Sequence, residues 1–202
     1  MIVKVCGMTR SGDVTFCDDQ GVDLVGFIFH PGSPRNVETS WVAGQKPLRA
    51  LKTGVFVRQD VGEIAAVARE AGLDLLQLHG GHTPDQCRAL GADRVIKVLW
   101  PERYASPEML EAEMELFAPV CRALLLDSGT SGGGHGKSLD PQRLRELKCP
   151  RPWYLAGGLG PDNLETMKTT GAAGFDLNSG VESAPGIKDH DKIRRALTIL
   201  RG

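Results

Sequence analysis

The chain has 202 residues, of which 41% are hydrophobic and 24% charged, with a formal net charge of −1. That length suits one large domain, 1–202, whose core needs no disulfide or metal staple, and the near-neutral charge gives no general pull toward nucleic acid or an anionic membrane. No run approaches the roughly 20 apolar residues of a membrane span, and the opening IVKVCG lacks the basic segment and longer apolar stretch of a secretory leader.

Short β-type runs alternate with helix-compatible segments along the chain. Residues 2–6 read as a strand and 9–19 as a helix. Residues 23–29 (DLVGFIF) form an apolar strand ended by the loop HPGSPRN, and a short helix follows over 38–45. The strand 52–57 leads to a helical spacing over 61–71 that stops at Gly72. The strand 73–78 ends at His79-Gly80-Gly81, and the helix 83–90 carries Pro84 in its first turn and Gly91 just past its end. The strand 94–99 precedes an acidic helix over 107–117. The strand ALLL at 123–126 stops at Asp127 and opens the loop SGTSGGGHGKS. Then come a short helix over 141–147, a strand over 153–156, a helix over 161–169, a strand over 173–177 and a closing amphipathic helix over 189–200.

Strict alternation of this kind needs crossover connections and therefore a parallel sheet. Eight strand–helix units predict a closed (β/α)8 TIM barrel, at the short end of that fold's usual length. The rival, an open doubly wound sheet, more often has five or six strands. The five cysteines (Cys6, Cys17, Cys87, Cys121 and Cys149) are odd in number and show no CxxC spacing, which argues against a disulfide framework or zinc knuckle and points to a reducing, cytoplasmic setting.

A barrel puts chemistry at the C-terminal ends of its strands. Two Gly-rich turns, Gly157-Gly158 and Asn178-Ser179-Gly180, fall after the seventh and eighth strands, where exposed N–H groups bind phosphate in this fold. Tight strand-to-helix turns are the alternative reading. Alternation in the first strand turns Lys4 and Cys6 inward and Val3 and Val5 outward. Cys6 then faces the barrel mouth, where nearby positive charge would lower its thiol pKa toward that of a general base, or else it is an inert buried thiol. Asp127, placed directly after three leucines, reads as a general acid with a raised pKa or as a turn cap. Arg35 offers a planar grip for a carboxylate, or a solvated loop cation. His79 reads as facing substrate, or else as a structural histidine hydrogen-bonded to backbone, and Lys4 and Asp176 are expected to pair across the first and eighth strands. SGTSGGGHGKS is not a P-loop, because Ser131 stands where the first glycine is required. A loop that closes over substrate, or that adds N–H donors to the anion cup, fits better, and His135 within it has no partners at metal-ligand spacing.

These residues belong to longer stretches: KVCGMT at 4–9, GFIFHPGSPRNV at 26–37, GVFV at 54–57, LLQLHG at 75–80, LLLDS at 124–128, GGHGKSLD at 133–140, LAGGLGPDN at 155–163 and GFDLNSGVESAPGIKD at 174–189. Together they resemble the phosphoribosylanthranilate isomerases of tryptophan biosynthesis, in family order and over nearly the whole chain. The resemblance implies an Amadori rearrangement of N-(5-phosphoribosyl)anthranilate to 1-(2-carboxyphenylamino)-1-deoxyribulose 5-phosphate, without metal or other cofactor. It implies Cys6 as general base, Asp127 as general acid, Arg35 as the carboxylate ligand, and Gly157, Gly158, Asn178, Ser179 and Gly180 as the phosphate site. The chain departs from the family pattern at His135 and Pro141, around the loop after the sixth strand. The expected partner is a small phosphorylated molecule, and the assembly a monomer or homodimer. Two alternatives remain at this stage: an isomerase of another aminoaldose phosphate, as in the histidine pathway, and a non-catalytic phosphosugar binder.

Overall fold

The computed structural model describes residues 1–128 and 140–202. Eight parallel strands close into a barrel in sequence order. They are β1 (Ile2–Val5), β2 (Leu24–Ile28), β3 (Leu51–Phe56), β4 (Leu75–Leu78), β5 (Val95–Leu99), β6 (Ala123–Asp127), β7 (Trp153–Ala156) and β8 (Gly174–Leu177). Pairing of β1 with β8 closes the ring and sets Lys4 opposite Asp176. The helices are α1 (Ser11–Asp19), α2 (Thr39–Ala43), α3 (Val61–Ala71), α4 (Pro84–Leu90), α5 (Pro107–Phe117), α6 (Pro141–Glu146), α7 (Leu164–Met167) and α8 (His190–Arg201). The loop after β6, including His135, lies outside the described residues from 129 to 139. Pro141 is the first residue of α6.

Side-chain alternation divides the apolar residues into two layers. Leu24, Leu75, Ile96, Val98, Leu125 and Tyr154 fill the barrel. Val3, Val5, Phe27, Leu76, Leu124 and Phe175 point outward and pack beneath the helices. All five cysteines are free; only Cys149 is less than fully buried. Each buried Leu, Val or Phe contributes roughly 1.5–3 kcal/mol by leaving water.

Local chemistry explains the helix starts. In α3 the Asp60 carboxylate accepts from Glu63 N–H while Glu63 reaches back to Asp60 N–H, and Thr83 and Gln86 repeat the arrangement at α4. Two differences from the sequence reading occur near the C-terminus. The helix expected over 161–169 is shorter, because Asn163 is used to shape the preceding loop: its Oδ1 accepts from Gly160 N–H at 3.0 Å and its amide donates to Gly158 O at 3.1 Å. The helix then tightens to a 3-10 turn over Lys168–Thr170. Beyond β8 the chain forms a two-stranded hairpin, β9 (Glu182–Ala184) and β10 (Ile187–Lys188), which alternation alone does not predict. Asp189 then caps α8 by accepting from the N–H groups of Asp191 and Lys192.

Candidate active site

At the C-terminal end of the strands lies a cavity of about 870 Å³. Cys6, Arg35, His79, Asp127, Gly157, Gly158, Asp176, Asn178 and Ser179 all line it. A smaller cavity of about 370 Å³ opens at the opposite face, beside Asp23, Arg49, Arg122 and Tyr154. Its charged groups are already engaged, Asp23 by Val3 N–H and Arg49 by Asp18. The chemistry-bearing residues therefore gather at the first cavity.

Cys6 follows β1 directly and donates its N–H to Leu177 O at 2.8 Å, which fixes its backbone against β8. Two glycines make room around it. A Cβ at Gly26 would stand 2.6 Å from Cys6 Sγ. At Gly7, where φ is +74°, a Cβ would meet Arg35 Cδ at 2.6 Å and Asn178 Oδ1 at 2.7 Å. A side chain there would thus be strained as well as crowded.

Below Cys6, Lys4 Nζ donates to Asp176 Oδ2 at 2.7 Å, with 1% and 6% of the two side chains exposed. Burial favours the neutral amine, but Asp176 and the Cys6 sulfur outweigh it and hold Lys4 above its ordinary pKa. Lys4 sits beneath the cavity, whereas Asp176 reaches its wall. Asp176 Oδ1 is buried without a hydrogen-bond partner among the described residues.

The thiol corrects one sequence expectation. Positive charge from Lys4 does act to lower the Cys6 pKa, but burial is the larger influence and raises it above the ordinary thiol value. Burial therefore favours the neutral thiol of Cys6.

Across the mouth, His79 Nε2 lies 3.5 Å from Asp127 Oδ2. Burial lowers the His79 pKa to about 4, so the ring is neutral at physiological pH and the contact is not an ion pair. Gln77 Nε2 stands 3.4 Å from His79 Nδ1. Donation by this amide leaves the imidazole proton on Nε2, facing Asp127. The His79 ring also meets Trp100 edge to face at 5.3 Å.

Arg35 is held more firmly than the sequence indicates. Its Nε and Nη2 donate to Glu182 Oε1 and Oε2 at 2.9 and 2.6 Å. Lys188 Nζ donates to the same Oε1 at 2.8 Å and to Asn178 Oδ1 at 3.0 Å. Burial would raise the Glu182 pKa, yet the two cations hold it below the ordinary carboxylate value.

The two Gly-rich turns meet. A Cβ on Gly160 would lie 2.5 Å from Gly180 O, and one on Gly180 would lie 2.2 Å from Leu159 O. Gly157, Gly158, Asn178 and Ser179 line the cavity, while Gly180 is the close backbone contact behind them. Gly157 and Gly158 have φ of +111° and +65°, a region that L side chains rarely enter.

Several lining or supporting residues escaped the sequence reading: Gln77, Trp100, Arg103, Glu182 and Lys188. Trp100 directly follows β5, so the strand-end rule that points to Cys6 points equally to it. Glu182 lies within the stretch GFDLNSGVESAPGIKD, where no local pattern marks it as the partner of Arg35. Among the described residues no group of three His, Cys, Asp or Glu side chains is arranged to hold a metal ion.

A closed (β/α)8 barrel with thiol, carboxyl and guanidinium groups facing Gly-rich loops defines the molecule as a barrel enzyme with its site at the C-terminal mouth. Residues 3–198 match the family described as N-(5'-phosphoribosyl)anthranilate (PRA) isomerase. A relative of that name from Maridesulfovibrio salexigens is 46% identical over 201 residues, covering 99% of this chain and 98% of its own. The crystal structure of phosphoribosyl anthranilate isomerase from Thermus thermophilus superposes with a TM-score of 0.86 at 32% identity, covering 100% of this chain and 98% of that one. Another such isomerase, solved in complex with reduced 1-(o-carboxyphenylamino)-1-deoxyribulose 5-phosphate, gives 0.80 at 30% identity over 100% of both chains. The chain belongs to the N-(5'-phosphoribosyl)anthranilate isomerase family.

Proposed function

We propose that this isomerase of tryptophan biosynthesis uses Cys6 as general base and Asp127 as general acid to convert N-(5'-phosphoribosyl)anthranilate to 1-(2-carboxyphenylamino)-1-deoxyribulose 5-phosphate. One observation carries the assignment of roles: Cys6 and Asp127 line a single cavity together with Arg35 and the Gly157, Gly158, Asn178 and Ser179 loops. Phosphate on the backbone N–H groups of those loops and carboxylate on Arg35 would orient the ribose between them.

Asp127 gives its proton to the furanose ring oxygen. The C1'–O4' bond breaks, and the anilinic nitrogen pair forms a protonated Schiff base. The Cys6 thiolate removes the C2' proton, the released electron pair becomes the C1'=C2' double bond, and the C=N π pair returns to nitrogen to give an enolamine. Tautomerisation moves a proton from the 2'-hydroxyl to C1' and leaves the ketone, so the net change is an isomerisation. A cationic Schiff base beside Cys6 draws its buried thiol toward thiolate, and Lys4 works in the same direction. The thiol proton passes to the Asp127 carboxylate left by the first step, so the base is activated as the intermediate forms and both groups end the cycle as they began.

Residues 1–202 serve as one domain, and every side chain invoked comes from one chain, so a monomer or homodimer suits the chemistry equally. Five free thiols fit a reducing cytoplasm. No helix among the described residues is long and apolar enough to cross a membrane. The direct test follows the loss of phosphoribosylanthranilate fluorescence with the wild-type protein. Turnover is expected; its absence contradicts the reading.

A further inference from the structure

We propose that Glu182 is a positioning residue for carboxylate recognition, holding Arg35 so that the end edge of its guanidinium faces the cavity. Glu182 is remote from Arg35 in sequence and belongs to the β9–β10 hairpin, outside the barrel itself. Its carboxylate takes the side edge of the guanidinium, at 2.9 Å to Nε and 2.6 Å to Nη2. This two-point contact fixes the guanidinium plane. The donors on Nη1 and the second proton of Nη2 remain for another carboxylate, because the fork has three N–H-bearing nitrogens and five protons.

Two further observations support the assignment. The first is anchoring. Glu182 Oε1 also accepts from Lys188 Nζ at 2.8 Å and from Gly186 N–H at 3.1 Å, and only 4% of its side chain is exposed. The carboxylate has little freedom to rotate away from Arg35. The Arg35 stem is held as well, lying across Gly7 where any Cβ would approach Cδ to 2.6 Å.

The second is charge. Arg35, Glu182 and Lys188 form a contact group with two cations and one anion, and the Lys188 side chain is fully buried. Asp13 of α1, which meets the hairpin, is occupied by Lys188 N–H at 3.2 Å and by His190 Nε2 at 2.9 Å. An isolated Arg35–Glu182 pair would present a neutral face to an arriving anion. With Lys188 bound to the same Glu182 oxygen, the group keeps a surplus positive charge, and its accessible end is Arg35. The hairpin thus holds the guanidinium in place without cancelling its attraction for a carboxylate.

The identity of that carboxylate rests on the isomerase reading, so the test separates binding from turnover. Two stable probes are used: (2-carboxyphenylamino)-1-deoxyribitol 5-phosphate and its phenylamino counterpart without the carboxyl group. Calorimetry gives the ratio of their affinities for wild type, Glu182→Gln, Arg35→Ala and the double variant. The wild type is expected to prefer the carboxylated probe, and Glu182→Gln to lose on the order of tenfold of that preference, the scale of a charge-assisted hydrogen bond. Affinity for the carboxyl-free probe stays unchanged, which general unfolding of the site would not allow. In the Arg35→Ala background Glu182→Gln has no further effect on the ratio. Glu182→Asp keeps the negative charge beside Lys188 but shortens the reach, and an intermediate ratio is expected from it even if Glu182→Gln does not fold. An unaltered ratio in either folded Glu182 variant overturns the assignment, as does a wild type indifferent to the carboxyl group. Wild-type turnover, measured separately, reports on the isomerase reading alone.

Discussion

Lys4 Nζ stands 2.7 Å from Asp176 Oδ2 on one rung of the β1–β8 seam, and both side chains are buried. Removing one member of a buried pair leaves the other charge uncompensated, which costs about 3–5 kcal/mol. Lys4→Met is expected to lower the unfolding free energy by that amount in urea titrations. It also removes a cation that favours the Cys6 thiolate, so the alkaline-side rise in activity should move to higher pH. An unchanged urea midpoint would contradict the energetic role of the pair.

The Cys6 pocket depends on a missing methyl group. A Cβ at Gly26 would lie 2.6 Å from Sγ, so Gly26→Ala must displace the thiol or the strand. Misplacing a reacting group by about 1 Å costs on the order of a hundredfold in rate. The expected result is a fall in kcat of that size with KM little changed. Gly12→Ala, where nothing lies within 4 Å of the added Cβ, is the control and should leave kcat intact.

His79 gives the stability curve an acid-side slope. Its pKa is lowered from 6.5 to about 4 by burial, so the unfolded chain binds the proton more readily than the folded one. Stability is therefore present in full above about pH 6.5 and falls as pH drops toward 4, by roughly 3 kcal/mol. Urea midpoints measured from pH 7 to pH 4 should decline in the wild type. The part of the decline due to this ring should vanish in His79→Asn. Parallel curves for the two proteins would refute it.

The phosphate loops are joined through two glycine backbones. Gly160→Ala would place a Cβ 2.5 Å from Gly180 O and push the β7 and β8 loops apart. Inorganic phosphate is expected to inhibit the wild type competitively and to inhibit Gly160→Ala about tenfold less well, the scale of weakening one charge-assisted contact. Equal inhibition constants would show that the junction does not shape the anion site.

The barrel was legible because its strands alternate in a simple way. Val3 and Val5 facing out, Lys4 facing in and Asp176 facing in from the closing strand opposite Lys4 follow from period-two geometry. The strand ends then located Cys6, His79 and Asp127. What escaped was set by contacts that no local pattern encodes. The Arg35–Glu182 fork joins the loop after β2 to a hairpin after β8, two segments far apart in sequence. The thiol pKa was expected to fall because Lys4 is nearby in sequence. Burial, which depends on how β2 and Gly26 close over Cys6, proved the larger influence. The shortened α7 has a similar origin, since Asn163 is spent on the loop before it.

The central claim is that Cys6 and Asp127 divide the proton transfers between them. Steady-state turnover of N-(5'-phosphoribosyl)anthranilate by wild type, Cys6→Ser and Asp127→Asn, followed by fluorescence, tests it most directly. Losses in kcat of roughly a hundredfold or more are expected for each variant, the usual scale for acid–base groups. Full activity in both variants would contradict the account.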